Sequence, residues 1–335
     1  MGRTIIMVHG RGIKPPRRQL AATWKDALRY SISRDFPEAA GLFEQTWCEM
    51  VYYGDLSNLF FQKKDGSVPI GSLDERLVTM SRLKRYRADE FNGQSYRQVP
   101  GYMRYSEAIA LRVGSVAKAL RLGRPYIEIY AKDMRQYWNQ DSDFGTEVRT
   151  RMLGPVRNAL DRGDKVLVLS HSLGAMISWD IFWKLSRTGE YREEYGDRRK
   201  VDMWITMGSP LGDVAIRQNL KGFHASTPRK YPSNVRRWFN VWAEDDFICH
   251  DGAIRDDYHE MLEHGVCECV EDAQIYNLAV KAGRSDPHNV LGYLMHPVLA
   301  EAVACWLVRA EMEKAAEHNG GNDAGVALVG DGEYN

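Results

Sequence analysis

Ser170-His171-Ser172-Leu173-Gly174 carries the most chemical content of any five residues in this 335-residue chain. A serine hydroxyl becomes a nucleophile when a sharp strand-to-helix turn presents it and a nearby base takes its proton. Such a turn needs small residues two positions before and after the serine, because larger side chains strike the neighbouring strand and helix. Gly174 meets that need, and Ser170 is the next smallest choice after alanine. A serine that merely caps a helix shows the same residues. What favours the nucleophile at Ser172 is the context on both sides. Residues 165–170 read as a short, continuously apolar strand, and helical periodicity runs from Gly174 to about residue 185.

A nucleophilic serine needs a base, and the base needs an acid to orient it. For a serine on a strand-to-helix turn, the expected chain order is Ser, then Asp or Glu, then His. Just beyond an apolar segment at 238–242 comes Glu244-Asp245-Asp246-Phe247-Ile248, where the end of a sheet strand would deliver an acid. Asp246, followed by an apolar pair able to anchor the loop, is the preferred acid, with Asp245 its rival. Downstream lie His250, His259, His264, His288, His296 and His318. His288 is the preferred base, since it sits in a loop with Gly283 and Pro287 and leads into a C-terminal helix. His296 precedes Pro297 and reads as a residue that starts a helix. His9 is a competing base, but it precedes Ser172, against the expected order. The backbone N–H groups of Arg11, in the glycine turn His9-Gly10-Arg11-Gly12, and of Leu173 are the candidate donors to an oxyanion.

These side chains must be carried by a framework, and the sequence outlines one. Residues 4–8 are β-branched and apolar, and a second strand is expected within 45–53. Leu20, Trp24, Ala27, Leu28 and Ile32 recur at helical spacing over roughly 19–34. Further strands are expected at Val201–Met207, 238–242 and 273–278. Further helices are expected around Val148, Met152, Val156 and Leu160, and around Leu299, Ala302, Val303, Trp306 and Leu307. Alternating strands and helices predict an α/β chain with a doubly wound, mostly parallel sheet. Between residues 55 and 145 the pattern weakens, with many Gly, Pro, Arg and Tyr residues, and the stretch reads as an insertion. Helical periodicity returns at 105–121, and 125–131 reads as strand or helix. The expected organisation is one domain over 1–316, with the insertion inside it and a flexible tail at 317–335.

Composition bounds the function. Forty-five basic and 45 acidic residues cancel, so the basic excess of a phosphate-neutralising nucleic-acid binder is missing. The chain is 44% hydrophobic, which supports a packed core rather than a disordered regulator. No stretch approaches the ~20 apolar residues needed to span a bilayer. The apolar run at 5–8 is too short for a signal peptide. Five scattered cysteines do not make a disulfide framework, and the expected location is the cytoplasm.

With these residues in view, the chain resembles the α/β-hydrolase superfamily, of the serine esterase and lipase type. The matching pieces are IIMVHG at 5–10, SHSLG at 170–174, MGSPLG at 207–212, EDDF at 244–247 and PHN at 287–289, over roughly 1–50 and 150–310. The resemblance implies an α/β-hydrolase fold with the insertion as a lid. It implies hydrolysis of a small-molecule or lipid carboxylic ester without cofactor or metal. Ser172 would be the nucleophile, Asp246 the acid, His288 the base, and Arg11 and Leu173 the oxyanion amides. Ser170 departs from the usual glycine, which puts the strand packing at the turn in question.

Two weaker signals remain. His259, His264, Cys267 and Cys269 suggest a metal, but on a helix positions five apart diverge by about 140°, and the two cysteines lack a second pair. A polar loop and surface helix is the expectation there. Basic residues gather at Arg3, Arg11, Lys14, Arg17 and Arg18, and again at Arg82, Lys84, Arg85, Arg87, Arg97 and Arg104. A solvated face is the default reading; attraction of an anionic ester or peripheral contact with a membrane surface is the sharper one.

Overall fold

The computed structural model describes residues 2–59, 73–102, 136–139, 141–196, 198–249 and 252–323. Six strands form one all-parallel sheet: β1 (Arg3–Val8), β2 (Trp47–Val51), β3 (Lys165–His171), β4 (Val201–Met207), β5 (Val235–Ala243) and β6 (Cys269–Ile275). Their spatial order is β2-β1-β3-β4-β5-β6. The chain therefore steps from β1 to one side, returns past it, and then adds strands on the other. At that reversal the loops after β1 and β3 part and leave a crevice at the carboxyl ends of the strands.

The central strands β1 and β3 are apolar along most of their length because both faces are covered. Ile6, Val8, Val166 and Val168 point into one layer. Their neighbours Ile5, Met7, Leu167 and Leu169 point into the other. The first layer is built by the helices Phe144–Asp161 and Leu173–Arg187, together with Trp204 and Trp238, stacked at 4.5 Å. The second is built by Arg17–Asp35, Pro37–Glu44, Leu73–Leu83, Val290–Leu294 and Pro297–Asp323. In chain order the helices used below are α1 (Arg17–Asp35), α2 (Leu73–Leu83), α3 (Leu173–Arg187), α4 (Val290–Leu294) and α5 (Pro297–Asp323).

Three sequence expectations change in detail, and one lies outside what the structure describes. The last strand begins at Cys269 and ends at Ile275, four residues earlier than expected at its start. The described part of 55–145 is helical and reaches the core, with Met80, Leu83, Phe91, Tyr96 and Val99 buried in the second layer. The periodic stretches at 105–121 and 125–131 lie outside the described residues. Helix α5 continues to Asp323, into the stretch expected to be tail. Among the described residues no helix is long and apolar enough to cross a membrane.

Candidate functional site

Four strands of the sheet, and the chain between β6 and α4, hand residues to the same edge. His9 and Gly10 follow β1, Ser172 follows β3, Gly208 follows β4, Asp246 follows β5, and His288 lies in the loop between β6 and α4. The parallel sheet makes this convergence, because every strand ends on the same side.

Ser172 joins β3 to α3 with φ 56° and ψ −125°. For a residue with a Cβ this conformation costs about 1–3 kcal/mol. The surroundings hold it there. Its N–H donates to Met207 O at 3.0 Å, and its carbonyl accepts from Ala175 N at 2.9 Å. The turn leaves no room for side chains nearby. A Cβ on Gly10 would lie 2.7 Å from Ser172 Cβ, and one on Gly174 would lie 2.5 Å from Val8 O. Ser170 resolves the question its departure from glycine raised. Trp204 Nε1 donates to Ser170 Oγ at 3.0 Å, and Ser170 Oγ bonds Ser178 Oγ at 2.7 Å. Ser178 Oγ in turn donates to Gly174 O at 2.8 Å. The hydroxyl at 170 thus ties β3, β4 and the first turn of α3 together.

His288 reaches Asp246. Its Nδ1 lies 2.7 Å from Asp246 Oδ2 and 3.0 Å from Oδ1. The carboxylate accepts only, so Nδ1 carries the proton and Nε2 of the neutral ring keeps its lone pair. Asp246 is buried and well supplied with donors. Tyr293 Oη donates to Oδ2 at 2.6 Å, and Ile248 N donates to Oδ1 at 2.9 Å. Tyr293 Oη also accepts from Ala243 N at 3.1 Å, which fixes the hydroxyl's direction. Burial, and then the charge of Asp246, hold the Tyr293 phenol well above its ordinary pKa, so it stays a donor. Asp245 turns elsewhere: its charge, after burial, helps raise the pKa of the Tyr96 phenol.

His171 and His9 complete the frame, and neither is placed to act as a base. His171 Nε2 donates to the backbone carbonyl of His288 at 2.9 Å, and the two rings lie 4.6 Å apart. Burial, and then repulsion from His288, push its pKa well below the usual histidine value, so it is neutral. His9 Nε2 accepts from Tyr53 N at 3.1 Å, and its Nδ1 donates to Gly10 O at 2.8 Å. Both nitrogens of His9 are committed to the backbone, and burial again keeps the ring neutral. His9 therefore pins the end of β1 to the chain after β2, which answers its rival role as base.

Ser172 Oγ and His288 Nε2 are among several buried polar atoms with no hydrogen-bond partner among the described residues, so the two do not bond each other here. They belong to the two side chains expected to pass a proton between them. Leu173, as the first residue of α3, has an N–H with no intrahelical acceptor. Arg11 lies on the same wall as His288 and Gly10, around a cavity of about 340 Å³. Sequence reasoning overlooked Tyr293, the clamping role of His171, and Gly208, which the strand-end match at 207–212 already contained. A Cβ on Gly208 would sit 2.6 Å from Asp246 Oδ2 and 3.0 Å from His288 Nδ1. Tyr293 carried no signal, since an aromatic in a short apolar helix reads as core.

Fold and site together define an α/β protein with a parallel sheet and, at its carboxyl edge, a buried Ser172 and Asp246 beside a half-buried His288. Comparison of the chain with protein-family models, with curated proteins and with solved structures gives no match to any of them.

Proposed function

We propose that this protein is a serine hydrolase that cleaves carboxylic esters through an acyl-enzyme. The observations that carry the reading are the strained turn at Ser172, whose hydroxyl has no partner among the described residues, and a His288 whose Nδ1 is held by Asp246 while its Nε2 likewise has no partner among them. Backbone strain persists where the surroundings over-determine it, and it concentrates at sites of chemistry.

In this reading Ser172 Oγ attacks the acyl carbon while His288 Nε2 takes the hydroxyl proton. The carbonyl electron pair moves onto oxygen, where the N–H groups of Leu173 and Arg11 and the start of α3 stabilise it. The pair returns, the ester C–O bond breaks, and the alcohol leaves with the proton from His288. Water then repeats the sequence, giving its proton to Nε2 and its oxygen to the acyl carbon, and releases the acid and free Ser172. Asp246 stabilises the imidazolium and keeps the productive tautomer, while Tyr293 and His171 hold Asp246 and the His288 loop in place. Thioesters and amides fit the same steps.

One observation favours a second reading, a binding protein that keeps these residues without turnover: Ser172 is only 1% exposed. Labelling with an alkyl fluorophosphonate separates the two. The hydrolase is labelled, and Ser172→Ala is not. Wild-type protein that stays unlabelled, or a variant labelled equally, refutes the hydrolase reading. Aryl esters of increasing acyl length then place it between esterase and lipase.

A further inference from the structure

The cavity beside His288 has a charge pattern that ester hydrolysis alone does not require. Four cationic residues line it: Arg11 and Lys14 from the loop after β1, Arg76 from α2, and Lys281 from the short strand Val280–Lys281. Against them stand two carboxylates, Glu75 and Asp286. Asp286 is already engaged, accepting from Asn289 Nδ2 at 3.0 Å, and Glu75 is exposed. The wall therefore carries a net excess of two positive charges in a chain whose total is zero.

Arg76 is the telling residue. Its side chain is half-buried, yet among the described residues no carboxylate lies within ion-pair distance of it. One nitrogen reaches Ile13 O only at 3.5 Å, and its Nε is buried with no acceptor. A guanidinium stays charged in any protein setting, so an unpaired one inside a cavity is costly unless something fills the gap. Burial lowers its pKa, and the charges of Glu75 and Asp286, beyond ion-pair distance, offset that only in part. The position of Arg76 is itself well determined: Thr79 Oγ1, one turn along α2, donates to Val280 O at 2.9 Å and fastens the helix to the strand bearing Lys281.

Resting on the hydrolase reading, we propose that this cavity is an anion subsite and that the substrate is an ester carrying a carboxylate or phosphate on the part lying against Arg76. The planar guanidinium fork matches either group through paired N–H donors. Lys281 and Lys14 add positive field around it. His288, Gly10 and Arg11 line the same cavity, and Gly10 packs directly against Ser172, so the charged end of an ester whose acyl carbon meets Ser172 would lie there. The volume, about 340 Å³, lies at the small end of ligand pockets and fits a short charged acyl or alcohol group rather than a long lipid chain.

The test compares two activated esters of similar length, the mono-4-nitrophenyl ester of glutaric acid and neutral 4-nitrophenyl pentanoate. The expected result is a higher kcat/KM for the anionic ester, with the anionic-to-neutral ratio falling about 10–100-fold in Arg76→Gln, the worth of one charged hydrogen bond. Lys281→Glu, at an exposed position that folding tolerates, lowers the ratio several-fold, and less so at about 0.5 M salt. Equal rates on the two esters in wild type, or an unchanged ratio in both variants, overturns the subsite while leaving the fluorophosphonate result standing. If the protein neither labels nor turns over, the hydrolase reading fails by itself, and calorimetric titration decides the subsite. Glutarate and inorganic phosphate are the probes, with glutaramide as the neutral control. Binding of either anion that Arg76→Gln weakens at least about tenfold supports it, and which anion binds tells carboxylate from phosphate. No anion binding overturns it.

Discussion

Gly208→Ala adds a single methyl group where three polar atoms already crowd together. The new Cβ would stand 2.6 Å from Asp246 Oδ2, 3.0 Å from His288 Nδ1 and 3.1 Å from Tyr293 Oη. To restore an ordinary contact of 3.4 Å the carboxylate must retreat by roughly 0.8 Å. Such a displacement takes the 2.7 Å bond to His288 out of hydrogen-bond range unless the histidine loop follows. It cannot follow freely, since His171 holds the His288 carbonyl. The backbone adds its own penalty, because φ at Gly208 is +53°, which costs alanine about 1 kcal/mol. The expected result is a loss of about 1–3 kcal/mol in unfolding free energy. On an activated ester, kcat/KM should fall about 100-fold, the scale for a misplacement near 1 Å. The assay that isolates the cause is a double-mutant cycle with Asp246→Asn. If Gly208→Ala acts by displacing the Asp246–His288 pair, it costs little more once Asp246 has lost its charge. A variant with near wild-type activity, or one whose loss is the same in both backgrounds, would falsify the reasoning.

Two further outcomes follow from the same geometry. Ser172→Gly removes the side chain from a backbone conformation that only glycine adopts comfortably, so urea unfolding should show a gain of about 1 kcal/mol together with complete loss of fluorophosphonate labelling; a less stable variant refutes the strain. Stability should also fall as the solution is made acidic. His9, His171 and His296 are buried with pKa values held below the usual 6.5 mainly by burial, that of His296 down to about 3. Each is neutral when folded and takes a proton on unfolding, so the unfolded state binds more protons and stability rises with pH. The contribution is complete above pH 6.5 and is lost as the pH falls below it, by up to about 4 kcal/mol per unit for three protons. His296 Nδ1 caps α5 by accepting from Val298 N at 3.2 Å. His296→Asn keeps a cap and removes one titrating group, so denaturant titrations between about pH 5 and 7 should show the slope reduced by about one proton. A slope unchanged by the substitution shows that His296 is not neutral in the fold.

Much of the framework was legible because parallel strands covered on both faces must be apolar throughout. The expectation at Val201–Met207 coincides with β4, and 4–8 differs from β1 by one residue. The last strand was misjudged for a physical reason. β6 pairs on one side only, with β5, and its middle carries Glu271, Asp272 and Gln274, so it shows no apolar run. Asp272 is not idle there: it accepts from Ile254 N at 3.0 Å, from Arg255 N at 2.8 Å and from Asn240 Nδ2 at 2.8 Å. A strand edge that serves loops in this way looks like a loop in sequence.

At the candidate site the division is similar. Local chemistry is written in the chain, because a sharp turn at Ser172 demands small neighbours and the order Ser172, Asp246, His288 follows from which strands end at which edge. Sequence preferred Asp246 to Asp245 only on the apolar pair that follows it, since adjacent residues share nearly every local property, and the fold turns Asp246 toward His288 and sets Asp245 near Tyr96. Sequence could not show that His9 is spent on the backbone of Tyr53, that Tyr293 steadies Asp246, or that Arg76 reaches the same cavity as His288. Those relations join residues 44 to more than 200 positions apart. They exist only once the sheet brings its strand ends together, and there a zero net charge resolves into a locally positive wall.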